Sequence, residues 1–428
     1  SLDRPSEANP TMHLPLLFVA ALSLTSADGA PNWPQFRGPH GDGKSDATGL
    51  PVTWGETKNV VWKTAIHDKG WSSPVVWGDQ VWLTTARADG TRLFAVCIDR
   101  NSGKVVHDVA VFDVEKPAFC HATNSYASPT PVIEEGRVYV HFGTYGTACL
   151  DTKTGKTLWE RRDLHCDHFR GPASSPILYD GLLFVHFDGV DVQYLVALDK
   201  NTGKTVWRKD RGTDFKPDTN PDLKKAYGTP AVITVEGKPQ LVSPAAAATT
   251  AYDPRTGAEL WRVYHGGMNV AAPPLAGLGK VFLCTGDGGL KLLAVRPNGH
   301  GDVTATHIDW KRNQGVPSRS SPLLVGDLLF MVNEIGFACC VEAKTGREVW
   351  RARLGGQYWA SPLYAEGRLY FFSEGGITHV GAAGREWKEL AANKLDTGCM
   401  ASPAVAGKAL FVRTKTHLYR IERQAGAQ

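Results

Sequence analysis

The chain has 428 residues, 42% of them hydrophobic and 21% charged, a composition that sustains a large core and excludes intrinsic disorder. Lys and Arg number 47 against 43 Asp and Glu, and a net charge of +4 spread along the chain excludes the basic stripe of a nucleic-acid binder. With 45 Gly, 26 Pro and 13 Trp but only 4 Met, the composition favours a turn-rich, all-β chain.

Taken in order, residues 1–30 read as a leader and signal peptide. Met12 opens the stretch, Leu14 to Leu24 form an apolar run, and small residues follow at Thr25 to Ala30. The run is too short to span a bilayer, so export to the periplasm or beyond is expected. Residues 31–58 form an N-terminal extension, and 59–423 are expected to make one domain, with 424–428 as a tail.

Within that domain a Ser-Pro or close variant opens eight apolar runs, at Pro74, Pro129, Pro176, Pro230, Pro274, Pro322, Pro362 and Pro403, spaced 40 to 55 residues apart. Each run meets a Gly or Asp hairpin turn and returns as an aromatic-rich strand. A third strand, as in "ALDKNTGKTVW", leads through Asp and a Thr-Gly turn to a fourth strand closed by a large aromatic. That closing position reads Trp62, His107, Trp159, Trp207, Trp261, Trp310, Trp350 and Trp387 round the chain. The turn is stretched in unit five ("VRPNGHGDVTATHIDW") and shortened in unit seven ("GAAGREW"). Four-stranded units at this period predict an eight-bladed β-propeller of antiparallel blades. Unit eight lacks a fourth strand, and "NVVWKTAI" around Trp62 is a fourth strand without a unit. Pairing Asn59–Ala65 with Leu418–Ile421 would close the ring and cover its edge.

The unit Ala-x-Asp-x-x-Thr-Gly-x-x-x-Trp is similar to the tryptophan-docking repeat of the pyrroloquinoline-quinone (PQQ) enzymes. "WPQFRGPHGDG" and "VVWKTAI" also resemble exported bacterial members of the PQQ-like propeller family. That family includes a propeller lipoprotein of outer-membrane assembly, which binds no quinone and acts as a scaffold. The resemblance therefore implies two classes. One is a binding or scaffolding module without catalysis, taking a protein, peptide or small-molecule partner and no nucleic acid, as a monomer. The other is a quinoprotein dehydrogenase oxidising an alcohol or sugar with PQQ and Ca²⁺.

The first class is expected, with no cofactor. Cys339-Cys340 are adjacent, as in the disulfide that stacks on the quinone in the dehydrogenases, but they fall on a third strand and should face opposite ways. "DTNPD" (Asp218, Asn220, Asp222) alternates oxygen ligands yet lacks the Gly and Glu that complete a Ca²⁺ loop. No Cys-x-x-Cys-His haem motif is present, and no catalytic residue is assigned.

Unusual residues concentrate in the loops that lead from a fourth strand to the next Ser-Pro. His121 and His168 stand eight residues before Pro129 and Pro176 respectively, with Cys120 and Cys166 close by, which suggests a Cys120–Cys166 disulfide, a shared Zn²⁺ or Cu, or simple hydrogen-bonded loop histidines. Three residues before the eight prolines stand Trp71, Tyr126, Ala173, Tyr227, Ala271, Arg319, Trp359 and Met400. These should ring the mouth of a central funnel. Trp71, Tyr126, Tyr227, Arg319 and Trp359 would stack on a flat or anionic ligand or anchor a peptide there; the alternative is filler between blades.

Overall fold

The Asp-x-x-Thr-Gly segments fold as local turns because one carboxylate gathers several donors. Asp199 Oδ1 accepts the backbone N–H groups of Asn201 and Thr202 at 3.1 and 2.8 Å and the Thr202 hydroxyl at 2.8 Å. Those bonds, led by the Thr202 hydroxyl, hold the carboxyl below its ordinary pKa. Gly203 follows at φ 70°, where a side chain would be strained and where a Cβ would also meet the Trp159 ring at 2.6 Å.

In a computed structural model, residues 32–213, 215–216, 218–289 and 291–424 are described. The leader expected at 1–30 lies outside them. Eight antiparallel sheets form the blades, and the third, for example, comprises Ile177–Tyr179, Leu182–Asp188, Gln193–Asp199 and Thr205–Asp210. Val60–Ala65 pairs antiparallel with His417–Glu422 and supplies the outer strand of blade eight, so the two ends of the domain meet in one sheet. The core is a series of layers between adjacent blades. Cys339 and Cys340, neighbours on one strand, belong to two of them: Cys339 packs in the layer with Phe282 of blade five, Cys340 in that with Phe371 of blade seven.

Both repeated motifs are contacts between blades. The indole Nε1 groups of Trp62, Trp159, Trp207, Trp310 and Trp350 donate to carbonyls in the next blade's turn (Arg100, Lys200, Pro254, Ala343 and Gly384) at 2.9 to 3.1 Å. His107 holds the same register position in blade one and stacks on Trp82. Trp261 differs: the stretched turn of unit five runs back along blade four, adding Gly301–Asp302 as a fifth strand, and the covered Trp261 donates instead to Gln240 at 2.8 Å. Trp387, expected as a docking residue, does not dock. It lies ahead of its strand, over Gly381 and 5.4 Å from the Trp350 ring, and the equivalent strand position is Ala391. Blade eight has no turn there to receive a tryptophan, because its third and fourth strands come from opposite ends of the domain. Trp54 of the extension enters that layer, stacked on Tyr370.

The Ser of Ser-Pro carries the second contact. Its hydroxyl accepts the backbone N–H of the corresponding residue in the preceding blade, in the series Ser321 to Ser361 to Ser402 to Ser73 to Thr130 to Ser175 to Thr229, at 2.9 to 3.1 Å. The series shows that blade two uses Pro131 and not Pro129: Thr130 supplies the hydroxyl, and the inner strand is Val132–Glu134. Blade five has Pro273 at this position, with neither hydroxyl nor N–H, and the ring of bonds is open there.

The extension crosses the central channel. Asn32 reaches Gly78, Trp33 pairs with Val76 of blade one, and the Pro34 carbonyl accepts from Ile133 of blade two. Arg37 donates to the Pro322 carbonyl of blade six at 2.7 Å. The chain then runs out along blade seven, with Lys44–Ser45 parallel to Tyr364–Ala365. Burial brings the Arg37 guanidinium down to about 10. Among the described residues no helix is long and apolar enough to cross a membrane.

Candidate binding cup at the mouth of the channel

On the face where outer strands lead to the next inner strands, the ring opens into a cavity of about 610 Å³. Phe36 of the extension is part of its lining, so the funnel is a cup and not a through-channel. With the proline of blade two taken as Pro131, the residues three before the eight prolines are Trp71, Ser128, Ala173, Tyr227, Ala271, Arg319, Trp359 and Met400, and every one lines this cavity. Tyr126, expected among them, does not. Its hydroxyl donates to the Ala118 carbonyl at 2.7 Å and its ring packs against Tyr145, because the Ser-Pro-Thr-Pro sequence shifts the register by two residues.

The wall across blades four to six is assembled by backbone contacts between loops. Tyr227 N–H donates to the Val270 carbonyl and Asn269 N–H to the Lys225 carbonyl, each at 2.7 Å, while Met268 and Asp287 exchange backbone bonds. Gly286 permits this approach, since a Cβ there would fall 2.2 Å from the Met268 carbonyl oxygen. Tyr227, Asn269 and Asp287 thereby stand together, and Arg319 grips Asp287 through both Nη atoms, at 2.8 and 3.2 Å. A second pair, Arg170 with Asp222, is equally bidentate, at 2.7 and 2.9 Å. Asp222 comes from the "DTNPD" loop, where Asn220 caps a short 3-10 turn.

Two polar atoms at this wall have no partner among the described residues: the Tyr227 hydroxyl and Asn269 Oδ1. Asn269 is only 8% exposed, and its amide nitrogen is already bonded to Asp287 at 3.1 Å. The indole N–H groups of the two lining tryptophans are also used, Trp71 to the Thr123 carbonyl and Trp359 to Glu374. What Trp71 and Trp359 offer the cup is therefore ring surface.

The cysteine and histidine pairs behave differently from a bridge or a metal centre. Cys120 and Cys166 are both free thiols. Cys120 lies against Gly171, and the buried Cys166 packs on His168 with its thiol pushed up to about 12 by burial. His168 Nε2 accepts the Thr144 N–H, and His121 bonds Thr123. Their matching offsets depended on counting from Pro129, and with Pro131 the match disappears. Among the described residues, no three His, Cys, Asp or Glu side chains gather as a metal site. His141 and His186, at matching strand ends, are buried; His141 bonds Thr147, while His186 bonds the Gly228 carbonyl and Ser243.

A quinone held beside Ca²⁺ needs oxygen donors free to bind the ion. Asp222 and Asp287 are both engaged by arginine, Glu374 is bonded to Trp359 and Lys415, and Cys339-Cys340 are inside the core, away from the cup. Among the described residues, Asn269 Oδ1 is the one side-chain carbonyl at this wall without a partner. A single neutral donor falls short of the roughly six to eight oxygens that Ca²⁺ takes, so this donor set does not fit a calcium-bound quinone.

An eight-bladed propeller closed by its own N-terminal strand, with a blind cup at its mouth, defines the class. Residues 55–193 and 191–428 match the PQQ-like family model described as outer membrane protein assembly factor BamB, and the chain belongs to that family. It is also similar to quinoprotein ethanol dehydrogenase of Pseudomonas aeruginosa, 31% identical over 136 residues, which is 30% of this chain and 22% of that protein. The corresponding enzyme of Pseudomonas putida is 30% identical over 137 residues, again 22% of its length. The chain thus spans about a fifth of these curated relatives. Among solved structures it resembles BamB from Moraxella catarrhalis (TM-score 0.58, 12% identity, 85% of this chain and 99% of that one). It likewise resembles a europium-containing methanol dehydrogenase (TM-score 0.66, 13% identity, 89% of each chain). At these identities the likeness concerns the fold.

Proposed function

We propose that this chain is an exported binding module of its family, that it seats a ligand in the cup, and that it carries no redox chemistry of its own. One observation supports this most: Asp222 and Asp287, the carboxylates of the cup, are each held by an arginine on both oxygens. Alcohol oxidation needs a base to take the hydroxyl proton, and a carboxylate committed to a bidentate guanidinium is a poor one. The cup nevertheless has features of a small-molecule site, being concave, of suitable volume, and lined by aromatic surface together with convergent polar groups.

A protein partner on the surrounding rim is the companion reading. Phe119 and Ile335, on funnel-side loops, are 68% and 67% exposed and could serve as apolar anchors.

The test is reconstitution of the purified full chain with PQQ and Ca²⁺, followed by dye-linked oxidation of ethanol and glucose. No dye reduction above the protein-free control is expected. Turnover that requires both PQQ and Ca²⁺ would overturn the reading.

A further inference from the structure

The polar groups of the cup constrain what it can hold. Arg319 and Arg170 could have attracted an anion, but each already faces a carboxylate, and the two pairs together carry no net charge. An anionic ligand would meet Asp222 and Asp287 at the same contact, so the guanidinium groups confer no preference for it. Asn269 Oδ1, buried and without a partner among the described residues, accepts only, and leaving it unmatched costs a desolvated acceptor. The Tyr227 hydroxyl, also without a partner among the described residues, can donate or accept. A ligand that reaches this wall would satisfy both by presenting a donor to Asn269 and a group of either kind to Tyr227. The Arg–Asp pairs add planar arrays with donors and acceptors side by side, which suit neighbouring hydroxyls, since each hydroxyl is both. Trp71 and Trp359 contribute apolar ring faces because their N–H groups are already bonded.

Ring faces for C–H surface, alternating donors and acceptors for hydroxyls, and no net charge are the recognition chemistry of a sugar ring. A peptide could match the uncharged donors and acceptors, but an extended chain needs a groove or a free strand edge. The cup instead ends at Phe36, and Lys44–Ser45 occupies the inner edge of blade seven.

We propose that the cup binds a neutral saccharide, with Trp71 and Trp359 against its ring faces and Tyr227 and Asn269 bonded to its hydroxyls. This rests on the reading of the cup as a ligand site.

Saturation-transfer NMR and tryptophan-fluorescence titration of the full chain test it. The probes are cellobiose, maltose, lactose and chitobiose, set against glucuronic acid, glucose 6-phosphate and a neutral tetrapeptide. Saturable binding of at least one neutral disaccharide, tighter than either charged sugar, is expected. Asn269→Ala should weaken it about tenfold, as should Trp359→Ala, with melting temperature used to confirm folding. Tyr227→Phe, which keeps the ring and removes only the hydroxyl, should weaken it by a smaller factor and guards against misfolding of the other variants. Absence of neutral-sugar binding up to about 10 mM overturns the inference, as does tighter binding of a charged sugar. If the tetrapeptide or a charged sugar binds instead, and Trp359→Ala abolishes it, the saccharide inference falls while the cup remains a ligand site. If no probe binds and the PQQ-loaded chain turns over, both fall.

Discussion

The hydroxyl of Ser73 accepts the backbone N–H of Ser402 at 3.1 Å, and that bond joins the last blade to the first. Both residues are buried, at 2% and 6% exposed. Ser73→Ala should lower the unfolding free energy by about 1–3 kcal/mol, the cost of an unmatched buried donor, as measured by urea denaturation. An unchanged midpoint and slope would show that the ring of hydroxyl bonds contributes nothing to closure.

Trp62 closes the same seam at larger radius, with its Nε1 on the Arg100 carbonyl and its ring over Gly103. Trp62→Ala should cost about 3 kcal/mol, the low end for a large aromatic, because the side chain is half-buried. A chain starting after Ala65 should lose cooperative unfolding altogether, since blade eight would lack its outer strand. A cooperative melt like that of the longer chain would contradict the closure.

These two contacts explain how much was legible in the sequence. Ser-Pro and Thr-Gly-x-x-x-Trp recur because every blade must make the same two bonds to its neighbour, so counting the motifs counted the blades. Errors arose where a bond was absent or the motif was doubled. The tryptophan pattern extends to Trp387 although the seam at blade eight offers no turn, and the Ser-Pro-Thr-Pro sequence satisfies the proline pattern twice, at Pro129 and at Pro131. The offset from the inner-strand proline then locates the mouth for seven blades and misplaces Tyr126 in blade two. Arg170, Asn269 and Asp287 escape the repeat pattern for a different reason, and Asp222 enters the reading only as part of an incomplete Ca²⁺ loop. They lie in loops outside the repeat, and their pairing depends on contacts between blades that no local spacing encodes. The unusually long "CTGDGG" turn of blade five was the one available signal for Asp287.

The extension is expected to act as structure and not as a passive leader. Trp33, Leu50 and Trp54 are buried in the layer shared by blades seven, eight and one. Removing residues 32–57 while keeping the closing strand should reduce stability by on the order of 5 kcal/mol, from the apolar surface re-exposed. Calorimetry of the shortened chain measures this, and an unchanged melting temperature would show that the crossing of the channel is incidental.

His141, His168 and His186 are buried, and burial is the main cause lowering all three, His141 to about 3. Their folded-state values lie below the unfolded value near 6.5, so the unfolded chain takes up protons first as the pH falls. Their contribution is fully present above about pH 6.5 and is lost progressively below it, at about 1.4 kcal/mol per pH unit for each histidine. Unfolding free energies between about pH 7 and pH 5 should fall steeply, and His141→Gln should remove about one histidine's share of that slope. A flat profile over that range would mean that these side chains are protonated in the folded protein.

Native mass spectrometry of the protein purified from its own source tests the central claim most directly, because it reports whatever the cup holds. The expected result is an organic ligand without redox-active quinone or calcium, present in the parent chain and missing from a folded Trp71→Ala, Trp359→Ala variant. Stoichiometric PQQ accompanied by one Ca²⁺, lost from that same variant, would contradict it.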